Sequence, residues 1–367
     1  MKTYRIALIP GDGIGKEVIP AGREVLEALA GTQRALAFEF QSFDWGADHY
    51  RRHGVMMPAD GLEALRPMDA ILFGSAGDPG IADHVTLWGL RLKICQGLDQ
   101  YANVRPTRIL PGIDAPLKRC GPHDLDWVIV RENSEGEYSG VGGRVHQGYP
   151  NEVATDVSVM TRSGVERIMR YAFRLAQGRA RRRLTVVTKS NAQRHAMVMW
   201  DEIAAEVAQE FPLVSWDKEL VDAATARMVN HPASLDTIVA TNLHADILSD
   251  LAAALAGSLG IAPTGNIDHE RRHPSMFEPI HGSAFDIMGR GLANPVGTFW
   301  SVVMMLEHLG EPEAARRVML AIEGVTANPA LHTRDLGGSA TTAQVTAAAC
   351  MMLTQSAPSA PGTALRG

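Results

Sequence analysis

Five short runs, "YRIALI" (4–9), "AILFG" (70–74), "WVIVRE" (127–132), "LTVVT" (184–188) and "TIVATN" (237–242), are apolar or β-branched at successive positions rather than at alternate ones. A strand of that kind buries both faces, which an all-antiparallel sheet with one wet side does not offer. Between several of them lie helical patterns, as in "SGVERIMRYAFRLAQ" (163–177) and "AMVMWDEIAAEVAQEF" (196–211). The alternation predicts an α/β fold: a largely parallel sheet covered by helices, with ligands gathered beyond the carboxyl ends of the strands. At 367 residues and 46% hydrophobic, the chain can bury a large core in one or two closely packed domains without disulfides. No internal repeat is visible.

Charge and cysteine usage narrow the function. A net charge of −6 gives no global basic field for nucleic acid, so small anions would have to be gathered by local arginines. The basic run "GRARRR" (178–183) reads as a solvated connector or a phosphate-binding patch. Cys95, Cys120 and Cys350 form neither a CxxC pair nor a zinc spacing, and an odd count suits a reducing, cytoplasmic compartment. No signal-like apolar region follows "MKTYRIALIP", and no charge-free run of membrane-spanning length occurs, so neither export nor a membrane span is expected. The tail from 356, "SAPSAPGTALRG", has no period and is expected to be disordered.

Chemistry-bearing residues sit at the ends of the apolar runs. "NLHADILSDLAAALAG" (242–257) reads as a core helix that carries Asp246 and Asp250 one turn apart on one face. Two like charges there are tolerable only if the face is wet or a cation meets them. With Asp222 of "LVDAATARMV" they would supply carboxylate oxygens for Mg²⁺ or Mn²⁺, against the plainer reading of caps and surface acids. His244 fits packing or capping better than ligation of a hard cation. Arg105 ("NVRP") and Arg131 ("VIVREN") offer guanidinium forks for a substrate carrying carboxylates. Lys189, one of six lysines against 29 arginines, ends a strand where loss of a proton would be useful. Tyr138, in a Gly-rich stretch, could donate one. "IPGDGIGKEV" (9–18) lacks the third glycine of a dinucleotide fingerprint and reads as a tight strand-to-helix turn.

The segments "NLHADILSDL", "EPIHGSAFDIMGRGLANPVGT" (278–298), "VRENSEGEYSG" and "VTKSN" together resemble the β-decarboxylating dehydrogenases, the family of isopropylmalate, isocitrate, homoisocitrate, tartrate and D-malate dehydrogenases. The resemblance runs from residue 4 to about 353, and "DWGADHYRRHGVMMPADGL", "LWGLRLKICQGLDQYANVRP" and "VVTKSNAQRHAMVMWDE" place it nearest the tartrate and D-malate branch. It implies an isocitrate/isopropylmalate dehydrogenase-like fold, non-Rossmann, with two α/β domains sharing a mostly parallel sheet system. These would be a discontinuous cofactor-binding domain (1–100 with 257–355) and a smaller one (101–256) holding the metal site and dimer interface. It further implies a homodimer with shared active sites. Asp222, Asp246 and Asp250 would hold the metal, Asp222 and Lys189 arriving from the partner subunit. Arg105 and Arg131 would bind carboxylates, and Tyr138 and Lys189 would form the acid–base pair. His281, Gly282, Ser283, Ala284, Asp286, Ile287 and Asn294 would line the adenosine half of the cofactor. A carboxylate at Asp286 accepts hydrogen bonds from a ribose 2′-OH and repels a 2′-phosphate, which favours NAD over NADP.

One position departs from the family pattern. An arginine usually stands ten residues before the Arg of "NVRP", and here that position is Cys95, with Arg91 one turn earlier as a candidate replacement. Trp88 and Arg91 in "TLWGLRL" would exclude a long isopropyl group and favour the small C3 substituent of malate or tartrate. The expected function is metal- and NAD-dependent oxidation of a small (2R)-hydroxy dicarboxylic acid, with or without β-decarboxylation, and with assistance from K⁺ left open. A 3-isopropylmalate dehydrogenase and a non-catalytic regulatory subunit are the alternatives.

Overall fold

The computed structural model describes residues 2–33, 35–118, 120–121 and 124–355. Among the described residues twelve strands occur in chain order: β1 (Lys2–Gly11), β2 (Leu36–Ser42), β3 (Ala70–Ser75), β4 (Ala102–Arg108), β5 (Asp126–Glu132), β6 (Gly136–Val145), β7 (Val153–Val159), β8 (Arg183–Thr188), β9 (Ser215–Leu220), β10 (Thr237–Ala240), β11 (Pro263–Ile267) and β12 (Ser275–Pro279). Ten form one sheet in the order β2-β1-β3-β12-β11-β4-β5-β10-β8-β9. The five apolar runs are β1, β3, β5, β8 and β10. Pairing is parallel in both wings and antiparallel only at the centre, where β11 joins β12 and β4, and β4 joins β5. This is the α/β, mostly parallel arrangement expected.

Alternation along each strand sorts side chains between two faces. One face feeds a single continuous core: Ile6 and Leu8, Leu72, Phe277, Val104, Val130, Val186 and Val239 pack together. Helices Gly15–Thr32, Arg162–Gly178 and Val296–His308 supply its other half, the last buried at every residue from Val296 to Leu306. The opposite face carries two separate cores. Ile9, Ile71, Phe73 and Met276 pack with Trp45, Leu90 and Ile94, whereas Trp127, Ile129, Val187 and Ile238 pack with Met228, Ala245 and Leu248.

Between these two cores the sheet has polar side chains. The registers Asn266↔Asn103, Asn103↔Arg131 and Thr264↔Glu278 put these residues, with Arg105, on one face across β12, β11, β4 and β5. Burying such groups is costly unless they bond to one another or to a ligand. That strip is the floor of a cleft.

The Gly-rich stretch around Tyr138 forms strand β6, which pairs antiparallel with β7 as a separate two-stranded arm with an irregularity between Gly136 and Val141. No helix among the described residues is long and apolar enough to cross a membrane. The tail from 356 lies outside the described residues.

The basic run is a connector. Arg179 Nε donates to Asp236 Oδ1 at 2.6 Å, Arg181 Nη2 to the Asp126 carbonyl at 2.6 Å, and the Arg183 amide to Asp236 Oδ2 at 3.1 Å. Asp236 is 1% exposed and ties this turn to the start of β10. Asp236→Ala leaves a partly buried guanidinium without its anion and is expected to destabilise the chain by about 3 kcal/mol. A urea midpoint unchanged from that of the parent would contradict this account of the run.

Candidate active site

The cleft holds a cavity of about 190 Å³ lined by Arg91, Arg105, Arg131, Tyr138, Asp246, Asp250 and Glu278, among others. Arg105 comes from the middle of β4 and Arg131 from the end of β5. Both aspartates stand on helix Asn242–Leu255, which opens directly after β10 and packs Ala245, Leu248 and Ala252 inward. The helix therefore keeps its acids on the edge that overlooks the polar strip.

Asp246 is the hub. Its Oδ1 accepts from Arg131 Nη1 and, at 3.3 Å, from Arg105 Nη2, and its Oδ2 accepts from the Tyr138 hydroxyl at 3.3 Å. Arg105 is pinned further by Nη1 to Ser249 Oγ at 2.5 Å and Nε to Asn103 Oδ1 at 2.7 Å. Arg131 Nε donates to Asn242 Oδ1 at 2.8 Å, and its guanidinium lies 5.1 Å from the centre of the Tyr138 ring. Asp250 approaches Arg105 at 3.9 Å.

Electrostatics follow from this crowding. Burial, then Arg131, pulls Arg105 down to about 10, and burial also lowers Arg131. Burial resists ionisation of Asp246, but Arg131 and then Arg105 outweigh it and hold the carboxyl below the usual range. Asp250, with less compensation, is pushed up by burial. Burial and the Asp246 charge raise Tyr138, keeping its proton on the phenol at neutral pH. The acids of this helix thus face cations supplied by the sheet.

Several expected positions lie elsewhere. Cys95 is 1% exposed inside the apolar core with Ile94 and Leu98, and burial pushes its thiol up to about 11. It does not line the cavity. Trp88 also lies outside the lining; it is 37% exposed and stands against Gly140 of the arm. The reason is the π-helical turn Leu87–Arg91, whose wider winding brings Leu87 and Arg91 to the cavity instead. Lys189 and Asp222 pair with each other, Nζ to Oδ1 at 2.5 Å, and neither lines this cavity within one chain. Among the described residues no group of three His, Cys, Asp or Glu is placed to hold a metal.

A second cavity, about 730 Å³, is lined by His281, Ala284, Asp286, Ile287 and Asn294 of the expected cofactor segment. Gly282 lines the smaller cavity, and Ser283 docks the "GDGIG" turn by accepting from the Ile14 amide at 2.9 Å. Gly13 has φ +52°, and a Cβ there would meet the Ser283 carbonyl at 1.9 Å, so the contact admits only glycine. His281 lines both cavities, and its buried Nε2 has no partner among the described residues.

Sequence reasoning missed Glu278, Glu132 and Asp335. Asp335 accepts from Asn294 at 2.9 Å and Ser258 at 2.6 Å, which fixes one wall of the larger cavity. Glu132, in the "VREN" segment, accepts from the amides of Ser134 and Glu135 at 2.9 and 2.8 Å and shapes the turn that leads to Tyr138.

A family model described as isocitrate/isopropylmalate dehydrogenase matches residues 5–350. The chain belongs to that family. It is an oxidoreductase by that membership. A probable tartrate dehydrogenase/decarboxylase of Agrobacterium vitis is 69% identical over 350 residues, covering 95% of this chain and 98% of that protein. The D-malate dehydrogenase (decarboxylating) of Escherichia coli is 48% identical over 360 residues, covering 96% and 99%. The crystal structure of isocitrate dehydrogenase from Methylococcus capsulatus superposes with a TM-score of 0.86 at 36% identity, covering 96% of this chain and all of that one.

Burial raises the Glu132 carboxyl to about 7, against 4.5 in an unfolded chain. Between those values the folded state keeps a proton that the unfolded state releases, so the contribution of this group to stability declines as pH rises through the window. Urea midpoints from about pH 5 to about pH 8 should fall less steeply for Glu132→Gln than for the parent. Parallel profiles would contradict the assignment.

Proposed function

We propose that the chain oxidises a small (2R)-hydroxy dicarboxylic acid, of the tartrate or D-malate kind, using NAD and Mn²⁺ or Mg²⁺, with or without loss of the β-carboxylate. The observation that carries this reading is the cavity in which Arg105 and Arg131 face Asp246 and Asp250 beside a second, larger cavity. The names of the relatives at 69% and 48% identity support the substrate class.

The donor set fits a hard dication: Asp246 and Asp250 present carboxylates one helical turn apart, with no cysteine or methionine in the lining, and Asp222 of a partner subunit would complete the set. The larger cavity fits NAD, since Asp286 offers acceptors to a ribose diol and His281 Nε2 awaits a partner. Charge points the same way. Arg91, Arg105 and Arg131 balance Asp246, Asp250 and Glu278, so a dication and a dicarboxylate enter together without leaving net charge in the pocket. A third carboxylate would be unbalanced.

Bound at these residues, a dication would supply Lewis-acid stabilisation of negative charge on the 2-oxygen and NAD would supply the hydride acceptor for C2. The residues of the chain do the rest. Arg105 and Arg131 turn from Asp246 to the substrate carboxylates and fix its orientation. Lys189 from the partner removes the hydroxyl proton, and where CO₂ leaves, Tyr138 delivers its proton to C3. Residues 1–100 with 257–355 would bind the cofactor, and 101–256 the metal and the partner.

If the site is shared, two inactive variants should rescue each other. Lys189→Ala and Asp246→Asn homodimers should each lose activity by about a hundredfold or more. Unfolding and refolding them together should restore about a quarter of parental turnover, since half the sites in each hybrid dimer are intact. Assays with NAD, Mn²⁺ and either acid, with and without K⁺, would read this, and chelation should abolish turnover. Absence of rescue would overturn the shared site, and full activity after chelation would overturn the metal.

A further inference from the structure

The wall of the small cavity opposite Asp246 contains a feature that the dicarboxylate reading does not use. Arg91 Nε donates to Glu278 Oε1 at 2.8 Å, its Nη2 lies 2.7 Å from the same oxygen, and Nη2 also reaches Asn266 Oδ1 at 3.3 Å. Asn266 Nδ2 returns a hydrogen bond to Glu278 Oε1 at 2.7 Å. Both side chains of the pair are nearly buried, 12% and 6% exposed, and both line the cavity. All of these bonds fall on one edge of each group. Arg91 Nη1 and Glu278 Oε2 have no hydrogen-bond partner among the described residues.

What remains is a donor and an acceptor, locked side by side. An unpaired guanidinium would bind a carboxylate through two parallel N–H groups. Arg91 has already given that edge to Glu278, and a second carboxylate would meet the Glu278 charge. An alkyl group would strip water from both free atoms without replacing it. A hydroxyl satisfies both, accepting from Nη1 while donating to Oε2. On the hydroxy-acid reading, a dication held by Asp246 and Asp250 would draw the C1 carboxylate and 2-oxygen to that side and C2 would face the larger cavity beyond His281, which leaves the C3 substituent for this wall.

We propose that the Arg91–Glu278 pair, with Arg91 carried by the π-helical turn Leu87–Arg91 and Glu278 by β12, is the specificity element that recognises a C3 hydroxyl and makes a 2,3-dihydroxy dicarboxylate such as tartrate the preferred substrate over its 3-deoxy counterpart, D-malate. The proposal rests on the hydroxy-acid reading of the same site. It also gives a use to the replacement of the family arginine by Cys95: the apolar core takes the position that would bring a further cation, and Arg91 arrives already neutralised.

The test compares kcat/KM for tartrate and D-malate, with NAD and Mn²⁺, in the parent, in Arg91→Met/Glu278→Gln and in Glu278→Gln alone. The parent should favour tartrate, and the tartrate-to-malate ratio should fall about tenfold to a hundredfold in the double variant, the worth of one or two hydrogen bonds to a charged pair. Glu278→Gln is isosteric, keeps an oxygen for Arg91 and turns the free acceptor into a donor, so it should collapse the ratio even if the double variant does not fold. Equal losses on both acids, or a parent that favours D-malate, would overturn the proposal while leaving the hydroxy-acid reading in place. A parent that oxidises neither acid would instead overturn that reading, and the proposal with it.

Discussion

Asp246 between Arg131 and Arg105 is the contact on which the site depends. Two guanidiniums buried side by side repel, and both lose affinity for their protons through burial. One shared carboxylate makes the arrangement tolerable, which is why removing an anion from such a cluster costs far more than its exposure suggests. The same contact makes the site ready for a ligand. On the proposed reading, a substrate carboxylate that took over the arginines would leave Asp246 free to meet a cation, and the exchange would conserve charge. A pocket lined by arginines alone would have to be assembled against repulsion each time it emptied.

The sheet explains why this contact can exist at the centre of the molecule. With both wings parallel, a uniform sheet would be covered by helices along its whole width. Three antiparallel pairings in the middle interrupt the regular crossovers, and the helices on one face divide into two groups, each with its own core. The other face keeps one core beneath both wings. An uncovered strip therefore remains on one side, backed by a continuous apolar layer that holds β12, β11, β4 and β5 rigidly in register. The polar residues of that strip inherit their spacing from the strand pairs, which is how Asn103, Asn266 and Arg131 come into one row.

Much of this was legible in the sequence where the signal is local. Strands apolar on both faces announce a covered parallel sheet, and two acids at helical spacing in an apolar segment announce a site. Positions that depend on a departure from regular geometry were not legible. Trp88 and Cys95 look suitably placed on an ideal helix, but the π-turn Leu87–Arg91 changes the register, so Leu87 and Arg91 enter and the other two do not. Strand β6 hid in a glycine-rich stretch, where strand propensity is weak and pairing with β7 decides. Glu278 and Asp335 were missed for another reason: their partners, Arg91 and Ser258, lie 187 and 77 residues away, and no local pattern records such a contact.

His281 joins the two cavities. It is the residue common to the small polar cavity and the larger one, and it hydrogen-bonds through Nδ1 to its neighbour Gly282 at 3.0 Å while Nε2 stays buried and unpaired. Burial lowers its affinity for a proton, so the ring is neutral at physiological pH and brings no further charge to a junction already balanced. A charged group there would disturb the cancellation among Arg91, Arg105, Arg131 and the three carboxylates. A neutral ring with one nitrogen left over can instead bond to a ligand that spans both spaces. The two cavities thus differ in character: the smaller is lined by three arginines and three carboxylates, and the larger, on the other side of His281, is lined mainly by uncharged residues with Asp286, Arg334 and Asp335.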